Sequence, residues 1–109
     1  MHKYEVITLP MAEEDMLRNT DYIAYEKLSP ETTIELGRGF RKAIGTLQAY
    51  PFRHELDEDE ILASHGVRKL YYKSYKIFYS VSEYDNKVYI LGVLHMLVDS
   101  KALLLRRLY

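Results

Sequence analysis

The chain contains no cysteine, which excludes disulfides and thiolate metal sites and suits a reducing cytosol. It has no apolar run near the ~20 residues that a membrane-spanning helix needs. Its opening, MHKYEVITLP, lacks the apolar centre of a signal peptide. No membrane association is therefore expected, and a cytoplasmic location is. Internal repeats, low-complexity segments and interdomain linkers are missing too. At 109 residues, with 48% hydrophobic and 28% charged side chains, the chain reads as one soluble domain over 1–109. A large net charge is also lacking, but the value of -1 conceals a division. Residues 1–63 carry 7 Lys/Arg against 13 Asp/Glu, whereas residues 64–109 carry 8 against 3. A basic C-terminal half can attract phosphate-rich or acidic partners. The plain alternative is an accident of which helices face water.

What is present follows a simple order. Residues 3–8 alternate and contain β-formers, predicting a first strand. Pro10 opens a helix to about residue 27, with Glu13, Glu14 and Asp15 in its first turn, where carboxylates suit the helix dipole. Met16, Leu17, Ile23, Ala24 and Leu28 recur at helical spacing. Ser29 and Pro30 read as the cap and first position of a second helix. Its stripe is Leu36, Phe40, Ala43, Ile44 and Leu47, and Pro51 ends it at about Tyr50. Gly37, Gly39 and Gly45 weaken it, which suggests close packing, with the first helix as the natural neighbour. The two helices form an antiparallel hairpin. Residues 53–65 read as an acidic loop with room for one helical turn. Three strands follow, Val67–Tyr72, Tyr75–Glu83 and Lys87–His95, joined by Lys73-Ser74 and Asp85-Asn86. A last helix runs from Asp99 through Arg107, with Leu103, Leu104 and Leu108 as its apolar face. The fold class is α+β: an N-terminal strand, an antiparallel helix hairpin packed on a mainly antiparallel four-stranded sheet, and a short C-terminal helix.

If Asp85-Asn86 is a two-residue turn, Ile77 lies opposite Leu94, Tyr79 opposite Gly92 and Val81 opposite Ile90. That side is apolar and should meet the helices. The other side sets Lys76 beside His95, Phe78 beside Val93, Ser80 beside Leu91 and Ser82 beside Tyr89, and should stay free. A two-residue Lys73-Ser74 loop brings Lys69 and Tyr71 beside Lys76; a three-residue loop brings Arg68 instead. Sequence leaves both open, and each adds a cation near Lys76 and His95.

In this order the chain resembles the RelE/ParE superfamily of type II toxin–antitoxin toxins over essentially its whole length. The resemblance rests on Asp21-Tyr22-Ile23, on Ala43-Ile44, Leu47 and Pro51, and on Gly66-Val67-Arg68-Lys69-Leu70. It rests most on Tyr75-Lys76-Ile77-Phe78-Tyr79-Ser80-Val81, and then on Val93-Leu94-His95 followed by Asp99. It implies a growth-inhibiting toxin neutralised by a cognate antitoxin, in a dimer or heterotetramer with it, and associated with plasmid stabilisation. RelE-type members cut messenger RNA in the ribosomal A site, and ParE-type members poison DNA gyrase. The resemblance therefore implies either an mRNA interferase or a gyrase inhibitor. An inactive relative that serves only as a binding module is the alternative.

The resemblance matches Arg68 and Lys76 to the basic sheet residues of the nucleases and His95 to a functional strand end. Cleavage needs cations on the scissile phosphate and a group to take the 2′-OH proton. Arg68 and Lys76 suit the first task and the His95 imidazole the second. Lys69, Tyr71, Lys73 and Tyr75 are candidate target-binding residues, and Tyr72 joins the tyrosines placed for stacking on bases. Against cleavage, Met96-Leu97-Val98 stands where an arginine is expected, and no tyrosine opens the last helix; Tyr109 is badly placed to replace it. The four histidines, His2, His54, His65 and His95, have no metal-ligand spacing, so neither metal nor cofactor is expected. Asp57–Glu60 reads as solvated loop rather than catalytic carboxylates.

Overall fold

The computed structural model describes residues 3–108; His2 and Tyr109 lie outside the described residues. The chain runs β1 (Glu5–Thr8), α1 (Pro10–Lys27), α2 (Pro30–Gly45), α3 (Glu60–Ser64), β2 (Arg68–Tyr72), β3 (Tyr75–Ser82), β4 (Lys87–His95) and α4 (Ser100–Leu108). Helix starts follow their local chemistry. Ser29 is extended and its hydroxyl accepts from the Thr32 N–H at 3.3 Å, while Pro30 fills the next position. Asp59 does the same for α3, accepting from the Ile61 and Leu62 N–H groups. α2 stops at Gly45, earlier than Pro51 suggested, and tightens into a 3-10 turn over Thr46–Gln48 that buries Leu47.

The sheet order is β1-β4-β3-β2, with β1 parallel to β4 and the other pairs antiparallel. Lys73 and Ser74 form a two-residue turn that sets Tyr72 opposite Tyr75, which resolves the choice left open by sequence. The next turn departs from expectation. It takes four residues, Glu83–Asn86, so Ser82 pairs with Lys87 and Val81 with Val88. A slip of two preserves the faces. A bulge then reverses them: Tyr79 pairs with Ile90 but Phe78 pairs with Gly92, so Leu91 is an extra residue. Beyond it Ile77 faces Val93, Lys76 faces Leu94, and Tyr75 faces His95.

Both sheet faces therefore carry an apolar core, although Tyr71 at the β2 side of the second face stays exposed. Tyr75, Ile77, Tyr79, Val88, Ile90 and Val93 pack under Ala12, Met16, Leu36, Phe40 and Ile44 of the helix hairpin. Phe78, Leu91 and Leu94 pack on the opposite side with Leu62 of α3 and Leu104 of α4. The open cationic face expected from the sequence does not exist as drawn, because the bulge turns Leu94 toward it and His95 away. The close approach at Gly39 is also different from expectation. The Tyr72 ring of β2 occupies the space a Cβ there would need, whereas Gly37 meets α1 only at an ordinary 3.9 Å from Thr20.

The bulge needs partners for its displaced backbone groups, since an unpaired buried amide is costly. β1 ends at Thr8 opposite Ile90, so β4 beyond that point is a sheet edge. Side chains take the place of a strand there. The Val93 N–H donates to Asp15 Oδ2 at 3.0 Å, and Asn19 Nδ2 donates to the Val93 carbonyl at 2.9 Å. Arg107 donates from Nη1 to Asp15 Oδ2 at 2.7 Å and from Nη2 to Oδ1 at 2.9 Å. Its Nη1 also reaches the Leu91 carbonyl at 3.0 Å. Gly92 leaves the necessary room, since a Cβ would sit 2.8 Å from Arg107 Nη1.

A second buried polar contact anchors the segment after α2. The Tyr79 hydroxyl donates to the Pro51 carbonyl at 2.6 Å. Burial pushes this phenol up to about 12 from an ordinary 10.0. A group raised on folding stabilises fully below its unfolded value and loses that contribution as pH climbs through its folded one. Alkaline titration should thus weaken the native protein between pH 10.0 and about 12. Tyr79→Phe should cost about 1–3 kcal/mol near pH 7 and flatten that alkaline step, as read by urea midpoints across pH.

Candidate functional site

The structure sorts the seven candidate residues into three settings. Arg68 is committed to holding the chain together. Its Nη1 donates to the His54 carbonyl at 2.7 Å and the Phe52 carbonyl at 3.2 Å, with the guanidinium 5.1 Å from the Phe52 ring. Opposite Tyr79 in register, it lies on the helix-hairpin side of the sheet.

Lys69, Tyr71 and Lys76 lie on the other side. Tyr71 pairs with Lys76, and Lys69 pairs with Phe78 of the second core. Lys69 is only 5% exposed, is held by the Glu58 carboxylate, and lies 5.7 Å from the Tyr71 ring. Burial is the largest single effect and lowers its pKa, but Glu58 and Tyr71 together outweigh it and raise the ammonium above its ordinary value. The acidic run is therefore more than solvated loop. Glu58 faces Lys69, Asp57 accepts from the Asp59 N–H, and Asp59 both caps α3 and pairs with Lys101 at 2.8 Å.

His95, Tyr75 and Lys73 form the third setting. They line a groove of about 750 Å³ between the far end of the helix hairpin, the β2–β3 turn and the chain leaving β4. Arg18, Asn19, Tyr22, Glu35 and Leu97 complete most of its wall. The Leu97 N–H donates to His95 Nδ1 at 3.2 Å, so in the neutral ring the proton sits on Nε2. The Tyr75 ring meets the imidazole edge-on at 5.4 Å between centroids. Tyr22, Leu97 and Val98 leave much of their apolar surface in water around this groove. Such a concave apolar wall with a few polar groups suits a protein partner or ligand better than a bare phosphate.

The expected triad is thus not assembled. His95 and Lys76 are on opposite sides of the sheet, and Arg68, although on the His95 side, sits four residue pairs away along the strands. The cause is the extra residue at Leu91, and Gly92 beside it was the available signal, since glycine inside a strand marks bulges. Sequence reasoning also missed Asp15, Asn19 and Arg107. Asp15 was read as a helix-dipole residue; its position on the apolar stripe beside Ala12 and Met16 was the clue.

This architecture is that of small α+β toxins. The chain superposes with a TM-score of 0.72 on a chain of the chromosomal ParDE toxin–antitoxin system from P. aeruginosa, at 16% identity, covering 87% of this chain and 98% of that one. A chain of the RelBE2 toxin–antitoxin complex from Mycobacterium tuberculosis gives 0.59 at 24% identity, covering 87% and 93%. No curated protein sequence matches. Residues 6–99 match the family described as the ParE toxin of type II toxin–antitoxin systems, parDE. The chain belongs to that family.

Proposed function

We propose that this protein is a growth-inhibiting toxin, silenced by a cognate antitoxin, that acts on DNA gyrase by binding and not on ribosome-bound mRNA by cleavage. One observation carries the choice of mode: Lys76 lies across the sheet from His95, and the Arg68 guanidinium is occupied by two backbone carbonyls. General-base cleavage needs its base and its phosphate-holding cations around one reacting atom. Met96-Leu97-Val98, in place of the arginine of the nucleases, agrees. The His95 groove, with exposed Tyr22 and Leu97 on its rim, suits an apolar segment of the antitoxin.

Induced expression in a bacterial host should arrest growth and cause DNA breaks, and the neighbouring antitoxin should relieve both. Lys76→Ala and His95→Gln should each keep toxicity within about threefold, far from the 10²–10⁴-fold loss that removing a general acid or base brings. Ribosome-dependent transcript cutting that vanishes in Lys76→Ala would overturn the proposal in favour of an mRNA interferase. Antitoxin binding without any toxicity would favour the inactive binding module.

A further inference from the structure

The outer edge of β2 carries a feature that the toxin reading does not use. β2 is the last strand of the sheet, and its first half is covered by the chain itself. The Asp57 N–H donates to the Val67 carbonyl at 2.9 Å and the Lys69 N–H to the Glu55 carbonyl at 3.1 Å, with Leu56 bridged antiparallel to Arg68. The next residue, Glu58, sets its carboxylate on Lys69. This pair is lopsided: the Lys69 side chain is 4% exposed and that of Glu58 76%. A buried ammonium needs a counter-charge, whereas an exposed carboxylate loses little when released to water. The hydrogen bond from Lys69 and then one from a backbone N–H, with Lys76 adding least, hold the Glu58 carboxyl below its usual range, so it remains charged and competes for this position at neutral pH.

Just beyond Glu55 the covering segment turns away. A gap of about 280 Å³ opens there, lined by Arg53, His54, Glu55, Lys69 and Tyr71. Strand alternation points the Tyr71 N–H and C=O out of the same edge as the Lys69 N–H. His54 Nε2 is buried with no hydrogen-bond partner among the described residues. The edge thus offers outward backbone groups and a buried cation together, while the His54 ring packs inward on Tyr79.

We infer that this edge is a docking site for an extended acidic peptide of a partner protein. The peptide pairs with the outward backbone groups of Tyr71 and sets a carboxylate on Lys69 in place of that of Glu58. The chain displays the chemistry it accepts there, since residues 55–57 run along β2 and Glu58, at the bend that follows, supplies the carboxylate. Main-chain pairing gives such an added strand its affinity and the side chains its selectivity. A nucleic acid lacks the N–H and C=O pattern that an open strand edge requires, and its phosphates would meet Glu55. The inference stands apart from the mode of toxicity.

The test uses the full chain and a synthetic peptide copying residues 54–61, followed by calorimetry and amide exchange. Glu58→Gln should bind the peptide about tenfold more tightly than the native chain, a difference well inside the reach of one charge pair. The Tyr71 backbone amide should gain protection. A peptide with glutamine at every acidic position should lose most of the affinity, and this control requires no further change to the protein. Equal affinity in native and Glu58→Gln chains, unchanged exchange at Tyr71, or equal binding of the neutral peptide would each overturn the inference. Tighter binding of oligothymidylate than of the peptide would instead assign the edge to nucleic acid.

Discussion

Replacing Asp15 by Ala should lower the stability of this protein by about 3–5 kcal/mol, the range for breaking a buried ion pair from one side. The size follows from what Asp15 touches. It is 1% exposed, accepts two hydrogen bonds from Arg107 and takes the Val93 N–H. Without it, a largely buried guanidinium and a bulge amide lose their acceptor together. Hydrogen bonding to Asp15 raises the Arg107 pKa despite burial, so the guanidinium stays charged in the folded state. A fall in Tm of more than ~10 °C is expected for a domain of this size. Asp15→Asn keeps an acceptor for Val93 but not the charge and should fall between. Arg107→Leu combined with Asp15→Ala should cost less than the two single changes added, because the pair is removed whole. Urea unfolding of the four chains measures this. A loss below about 1 kcal/mol in Asp15→Ala, the range of a surface pair, would mean that the edge of β4 is held by packing and Asn19 without Asp15.

How far this network was legible in the sequence depends on the range over which each signal acts. Ser29-Pro30, Pro10 and the alternating runs of β-formers are local, and the elements they announce appear within a few residues of the expected places. The match of residues 6–99 to the ParE toxin family agrees with the resemblance read from the same runs. Face assignment is different, because it depends on counting. The Asp85-Asn86 reading of the last turn was wrong by two residues, which did no harm to the faces. The single extra residue at Leu91 did all the harm, moving Lys76 away from His95. A strand has a period of two, so one uncounted residue reverses everything beyond it. Sites built across strands inherit that fragility. Lys73, Tyr75 and His95 still came together, since all three lie at one end of the sheet near the β2–β3 turn. The backbone anchoring by Arg68 could not have been recognised from sequence, because its acceptors are carbonyls of the segment between α2 and α3, 14 and 16 residues away.

The same bulge makes the C-terminal helix part of the fold rather than an appendage, and Leu104→Ala tests it. Leu104 is fully buried against Leu62, Phe78, Leu91 and Leu94 on the sheet face away from the helix hairpin. Truncating such a residue to alanine costs about 2–5 kcal/mol, more where the site cannot collapse. Collapse is difficult here. α4 is pinned at one end by Lys101 pairing with Asp59 at 2.8 Å and at the other by Arg107 on Asp15 at 2.7 Å. Leu104 sits between the pins, so the helix cannot settle into the cavity without releasing one of them. The urea midpoint should fall, and amide exchange should quicken in α4 and in the β4 segment Leu91–Val93 together, since Arg107 carries the Leu91 carbonyl. An unchanged midpoint with faster exchange confined to α4 would show a helix that opens alone, and the sheet edge would then need another cap.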